Sequence, residues 1–180
     1  IMNKEQRFFL NLKTNPEWYI ENFLQIRDKK AQIIPFKLNN AQKRVMRLIE
    51  SDKAQGKPLR YIVLKARQMG LSTLFEGLIF QDTANHENKN SLIIAHEEQA
   101  SSNLFNMSKL YYEYLPDVIK PMKKYANGKV LSFENPTPDD HEKAKNPGLR
   151  SKISIATAGS GEVGRSATYH NIHASEVAFF

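Results

Sequence analysis

The stretch from Tyr61 to Ile79 constrains this chain more than any other. It holds an apolar run, Tyr61-Ile62-Val63-Leu64, then the turn KARQMGLST (65–73), then apolar residues at Leu71, Leu74, Phe75, Leu78 and Ile79. A short continuous apolar run reads as a strand covered on both faces, and the three-four spacing after it is helical. A strand that feeds a helix through a glycine turn presents the unpaired N–H groups of the helix's first turn. Together with the positive end of the helix dipole, these form a place for phosphate. The common form of such a loop is G-x-x-x-x-G-K-[ST], in which lysine neutralises the outer charge and the hydroxyl holds Mg²⁺. Here Gly70 and Ser72 fill the second glycine and the hydroxyl, while Leu71 stands at the lysine and Lys65 at the first glycine. The missing cation must come from Lys65 or Arg67, and Arg67 can grip phosphate with a fork that lysine lacks. Lys65, Ala66, Arg67, Gln68, Met69, Gly70, Leu71, Ser72 and Thr73 are thus the expected lining of a nucleotide-phosphate site.

The rest of the chain reads as alternating elements. Asn15-Pro16 pairs an N-cap with proline at the first helical position, predicting a helix through about Arg27. A linker, KKAQIIPFKL, leads to a second helix from Asn39 or Asn40 with Ala41, Val45, Leu48 and Ile49 on one face. SDKAQGKPLR is a polar turn. Beyond the phosphate loop come a buried-type strand at Ser91–Ala95, a helix over 98–115, and a short strand at Lys129–Phe133. A long polar loop over 134–150 follows, then strands at Ser151–Ala156 and Tyr169–Ala174. Strands alternating with helices imply parallel βαβ units and a sheet with helices on both faces. The expected fold is a three-layer α/β domain of the P-loop NTPase (RecA-like) kind. Residues 1–60 form a helical lead-in and 61–180 an ATPase core that stops at its C-terminal side, directly after a strand.

ATP hydrolysis needs a second element: a strand ending in carboxylates that hold Mg²⁺ and polarise the attacking water. IHASEVAFF (172–180) supplies it, with Glu176 at the strand end. Ser175 stands where aspartate is usual; its hydroxyl can orient a Mg²⁺-bound water but gives no charge. Upstream, GSGEVGRSA (159–167) presents Arg165 on a glycine-rich turn, a candidate for stabilising transition-state charge. Gln42 is a candidate adenine reader, because a glutamine amide can pair two-pronged with N6 and N7 of the base.

Composition narrows the partners. The chain has no cysteine, which excludes disulfides and thiolate metal sites. Its net charge is +7, concentrated in RDKK (27–30), QKR (42–44) and KPLR (57–60), and is compatible with a polyanion such as DNA. No apolar stretch is long enough to span a membrane or to act as a signal peptide. His170 and His173 fall on opposite faces of a strand and cannot chelate one ion together. His96 reads as a polar strand-end residue. Asp139, Asp140 and Glu142 read as a solvated loop, and Tyr111, Tyr112 and Tyr114 as packing at the core and its rim.

Taken together, NPEWYIENF, PFKLNNAQ, KARQMGLST, SLIIAH, the Gly-Arg-Ser at 164–166 and IHASEVAFF resemble the ATPase part of the large terminase subunit of tailed phages and prophages. The resemblance spans essentially the whole chain in the expected order. It implies a motor that hydrolyses ATP with Mg²⁺ to drive double-stranded DNA into capsids in the host cytoplasm. It also implies a homo-oligomeric ring working with a small terminase subunit and a portal protein, with no membrane involved. Gln42 would read adenine, Lys65 or Arg67 would be the displaced cation, and Ser72 the Mg²⁺ hydroxyl with Thr73 beside it. Glu176 would be the catalytic carboxylate and Arg165 a finger acting on a neighbouring subunit's ATP. The coupling motif and the nuclease domain of such proteins are not in this sequence, so no nuclease activity is expected of it. Two alternatives are a helicase-like remodelling ATPase, against which Leu71 and SEVA argue, and a degenerate nucleotide- or DNA-binding module that does not hydrolyse.

Overall fold

The structure is a computed structural model that describes residues 2–66, 68–159 and 167–179; Arg67 and Arg165 lie outside the described residues. The chain runs α1 (Lys4–Thr14), α2 (Pro16–Phe23), β1 (Gln25–Arg27), β2 (Ile33–Pro35), α3 (Asn40–Ala54), α4 (Leu71–Asn85), β3 (Asn90–Ala95), α5 (Glu98–Tyr114), β4 (Tyr125–Ala126), β5 (Val130–Glu134), α6 (Asp140–Lys145), β6 (Gly148–Thr157) and β7 (Asn171–Ala174). The main sheet has order β4-β5-β6-β3-β7; β6, β3 and β7 are parallel, while β4 and β5 add an antiparallel margin. This is an α/β fold with a mixed five-stranded sheet whose centre is parallel.

Strand register sorts the sheet residues into two faces. Leu131, Phe133, Ser151, Ile153, Ser91, Ile93, Asn171 and His173 share one face, and most of them are buried. Both long helices pack there: Phe80 of α4 meets Tyr111 of α5 and Phe133 of β5 edge-on, at 5.6 and 6.1 Å between ring centres. α4 is buried nearly all round, with Leu71, Leu74, Glu76, Ile79, Phe80 and Gln81 inaccessible, so it is the central helix rather than an amphipathic cover. The lead-in packs onto its other side. The Gln81 side-chain amide donates to the Leu12 and Lys13 carbonyls (2.6 and 3.0 Å), closing the end of α1. Leu12, Tyr19, Ile20, Phe36 and Met46 belong to the same apolar cluster as Leu74, Ile93 and Ile153.

Several expectations are revised. The helix opened by Asn15 ends at Phe23, and Gln25–Arg27, expected as its last turn, instead pairs as an antiparallel hairpin with Ile33–Pro35 of the supposed linker. On α3 the buried positions are Gln42, Met46 and Ile49, while Leu48 is half exposed. The polar loop after β5 contains α6, whose start is capped by Asp139 through the His141 and Glu142 N–H groups. The largest departure is Tyr61–Leu64. It forms no ladder, and Ile62 and Leu64 are fully exposed. An apolar run becomes a buried strand only where its edge groups are paired and its side chains covered, and among the described residues neither holds here.

Candidate functional site

The turn that leads into α4 is held by the start of α3. Asn39 caps that helix in a capping box with Gln42: its side-chain oxygen accepts from the Gln42 N–H (3.0 Å), and its own N–H donates to Gln42 Oε1 (2.9 Å). The remaining amide groups of the two residues turn to the loop. Gln42 Nε2 donates to the Gly70 carbonyl (2.7 Å) and Asn39 Nδ2 to the Met69 carbonyl (3.2 Å). In a trans peptide the carbonyl and the next N–H point opposite ways. Drawing the Met69 and Gly70 carbonyls toward α3 therefore turns the Gly70 and Leu71 N–H groups away from it.

Gly70 itself adopts a left-handed conformation (φ +71°) and starts α4 with no side-chain cap and no acidic residue in the first turn. An uncapped, acid-free helix start keeps its unpaired donors and dipole available to an anion. Gln68 is also left-handed (φ +62°), which costs a non-glycine residue about 1–2 kcal/mol. Lys29 Nζ holds its side chain at 2.9 Å. Ser72 and Thr73 are half-buried on the first turn, Lys65 and Ala66 are exposed, and Leu71 is buried in the core. The lysine position of the common loop therefore carries a core side chain here. Gln42 is 3% exposed with both ends of its amide engaged, so it acts as the junction between α3 and the loop.

β7 is fastened to α4 by alternate residues. Asn171 donates to Asp82 (2.7 Å) and Ser91 (3.1 Å), and His173 Nδ1 lies 2.6 Å from Glu76 Oε1. Two strand residues advance ~6.6 Å, while the matching step along α4, from Asp82 to Glu76, spans ~9 Å. The next alternate residue is Ser175, whose N–H continues the ladder to the Ile94 carbonyl (2.8 Å). One more step of ~6–9 Å beyond Glu76 is about four to six residues of helix, so the chain after β7 heads toward the Gly70–Ser72 end of α4.

Glu176 follows with φ +59°, the second left-handed non-glycine residue of the region. Such strain clusters at functional sites. Its Oε2 lies 3.0 Å from His96 Nδ1, in ion-pair range but not aligned as a hydrogen bond. His96 Nε2 faces Glu97 at 3.5 Å, and its ring packs on Phe179 (5.3 Å). The ladder pairs Ile94 with Ala174, so two residues further on His96 stands beside Glu176. Strand order alone reveals that proximity.

Glu76 is fully buried. Burial raises its carboxyl above the ordinary range, opposed by the His173 bond and the nearby Ser108 hydroxyl. Its second oxygen lies buried near Ser108 without a well-directed bond. Tyr111, also buried, donates to the Thr73 carbonyl (3.2 Å), and burial pushes its hydroxyl well above the usual value. His170 takes a different partner from His173: its Nδ1 accepts from the Asn90 N–H (3.1 Å). Among the described residues no group of three or more acidic or histidine side chains could hold a metal, and no helix is long and apolar enough to cross a membrane. Compared with known proteins, the chain matches no family model, and no curated protein is significantly similar to it.

Proposed function

We propose that this chain is the ATPase domain of a DNA-packaging motor of the large-terminase kind, built on a three-layer P-loop core. What supports the proposal is that strand register directs two features toward one end of α4. One is the uncapped, acid-free helix start, with carbonyls drawn back by Asn39 and Gln42. The other is the end of β7 bearing Ser175 and Glu176, a strand that two side-chain pairs fasten to the same helix. The first suits the phosphates of ATP and the second suits an attacking water, and hydrolysis needs both within one site.

In this reading the N–H groups of the first turn of α4 bind phosphate oxygens, with Lys65 or Arg67 supplying the cation that Leu71 does not. Ser72 and Ser175 would hold Mg²⁺ directly or through water, and the ion would neutralise charge developing on the phosphates. Glu176 orients and polarises the attacking water. Arg165 acts on the ATP of the next subunit in a ring. The ring, its double-stranded DNA, the small subunit and the portal follow from the family resemblance.

The test is calorimetry with ATP and Mg²⁺ on the wild type, Arg67→Ala and Lys65→Ala, followed by hydrolysis assays with Glu176→Gln. We expect binding by the wild type, a larger loss in Arg67→Ala because its fork meets two oxygens, and hydrolysis abolished with binding retained in Glu176→Gln. A wild type that binds no nucleotide refutes the proposal.

Two observations favour a second reading, a binding module without turnover: a core leucine fills the cation position and Glu176 rests against His96. Nucleotide binding with a hydrolysis rate unchanged by Glu176→Gln would select it.

A further inference from the structure

Outside the phosphate loop and the strand end, the least ordinary group in the protein is the carboxylate of Glu76. It lies in the middle of the central helix at 0% exposure, where an ionisable side chain persists only with a specific partner. Its partner, His173, is itself nearly buried and sits three residues before Glu176. The ring is fixed from a second side by Phe75, whose centroid is 5.7 Å away, and in the ladder it stands opposite Ile93. Four elements thus meet at one point: α4 through Glu76 and Phe75, β7 through His173, β3 through Ile93, and α5 through the Ser108 hydroxyl beside the second carboxylate oxygen.

Apolar packing alone would bury these surfaces as well, but it does not specify the height of a strand along a helix. A directed bond of 2.6 Å does, because sliding β7 by one residue would move His173 ~3.3 Å and break it. The Asn171–Asp82 bond sets the same height one step earlier, at the partly exposed end of the strand. The pair nearer the phosphate loop is the buried one.

We propose that Glu76 and His173 are positioning residues that set the height of Ser175 and Glu176 against the phosphate loop. This rests on the ATPase reading above. Neither residue touches the nucleotide; each acts through the strand end that it fixes.

The experiment compares wild type, Glu76→Gln, Glu76→Leu and the double variant Glu76→Leu/His173→Leu. It measures kcat for ATP, nucleotide affinity without Mg²⁺, and the melting temperature. Glutamine keeps an acceptor for His173 and should retain kcat within about threefold, whereas losing the bond should lower kcat about 10- to 100-fold, the cost of displacing a reacting group by ~1 Å. Affinity without Mg²⁺ should stay within about twofold, since the loop is held separately by Asn39 and Gln42. Glu76→Leu leaves a buried imidazole unpaired and is expected to melt lower. The double variant removes both polar partners and should melt near the wild type, so its kcat separates positioning from stability. A double variant with wild-type kcat, or variants that lose kcat and affinity by the same factor, would overturn the proposal. Absence of binding in the wild type would instead overturn the parent reading, and it shows before any variant is made.

Discussion

Replacing Gly70 by alanine tests the junction on which the site depends. Gly70 sits at φ +71°, and a Cβ built on it would lie 2.9 Å from Gln42 Nε2. Gly56, at φ +66° in the turn after α3, would place its Cβ in open space. Gly56→Ala therefore reports the left-handed penalty alone, about 1 kcal/mol. Gly70→Ala adds the displacement of a side chain that is 3% exposed and holds bonds of 2.7 Å to the Gly70 carbonyl and 2.9 Å from the Asn39 N–H. Losing both, at a net ~1 kcal/mol each, brings the total to about 3 kcal/mol. For a chain of this size each kcal/mol lowers the melting temperature by about 2–4 °C, giving about 6–12 °C for Gly70→Ala and about 2–4 °C for Gly56→Ala. Thermal melts followed by circular dichroism measure both. If the two variants melt within about 2 °C of each other, Gln42 yields freely and the loop is not held as described.

Two further outcomes follow from buried polar groups. Burial raises the Glu76 carboxyl, so its contribution is fully present below the ordinary carboxylate range and is lost as pH rises through the elevated folded value. Urea midpoints measured upward from pH ~4.5 should therefore decline more in wild type than in Glu76→Gln; parallel curves would contradict the raised value. Gln81→Leu strips the Leu12 and Lys13 carbonyls of their buried donor and should cost about 2 kcal/mol, with α1 becoming the first protease-sensitive segment. Cleavage elsewhere first would argue against that tie.

What the sequence made legible was local. β3, α5 and β6 lie close to where apolar run and period put them, because each buries side chains at a spacing that its own residues display. α3 was misjudged on its buried face for a definite reason. A periodicity argument ranks Leu48 above Gln42, but Gln42 is the residue whose amide meets the Gly70 carbonyl, and that carbonyl lies 28 positions away. The candidate site divides in the same way. Gly70, Ser72 and Glu176 were visible as chemistry because a motif is a local pattern. His96 beside Glu176 and Glu76 beside His173 were not, since their closeness comes from β3 pairing with β7 and α4 lying against both, across separations of 80 and 97 residues.

That division bears on how the site works. A phosphate loop and an acidic strand end are separately common, and each has an ordinary structural explanation. In the proposed ATPase, hydrolysis depends on the distance between them. In this fold the height of the β7 end along α4 follows from a strand register and from two polar pairs on α4, Asn171–Asp82 at the partly exposed end and the more deeply buried His173–Glu76. The residues hardest to find from sequence are thus the ones that relate the two halves, and substitutions there should separate binding from turnover in a way that substitutions in the loop cannot.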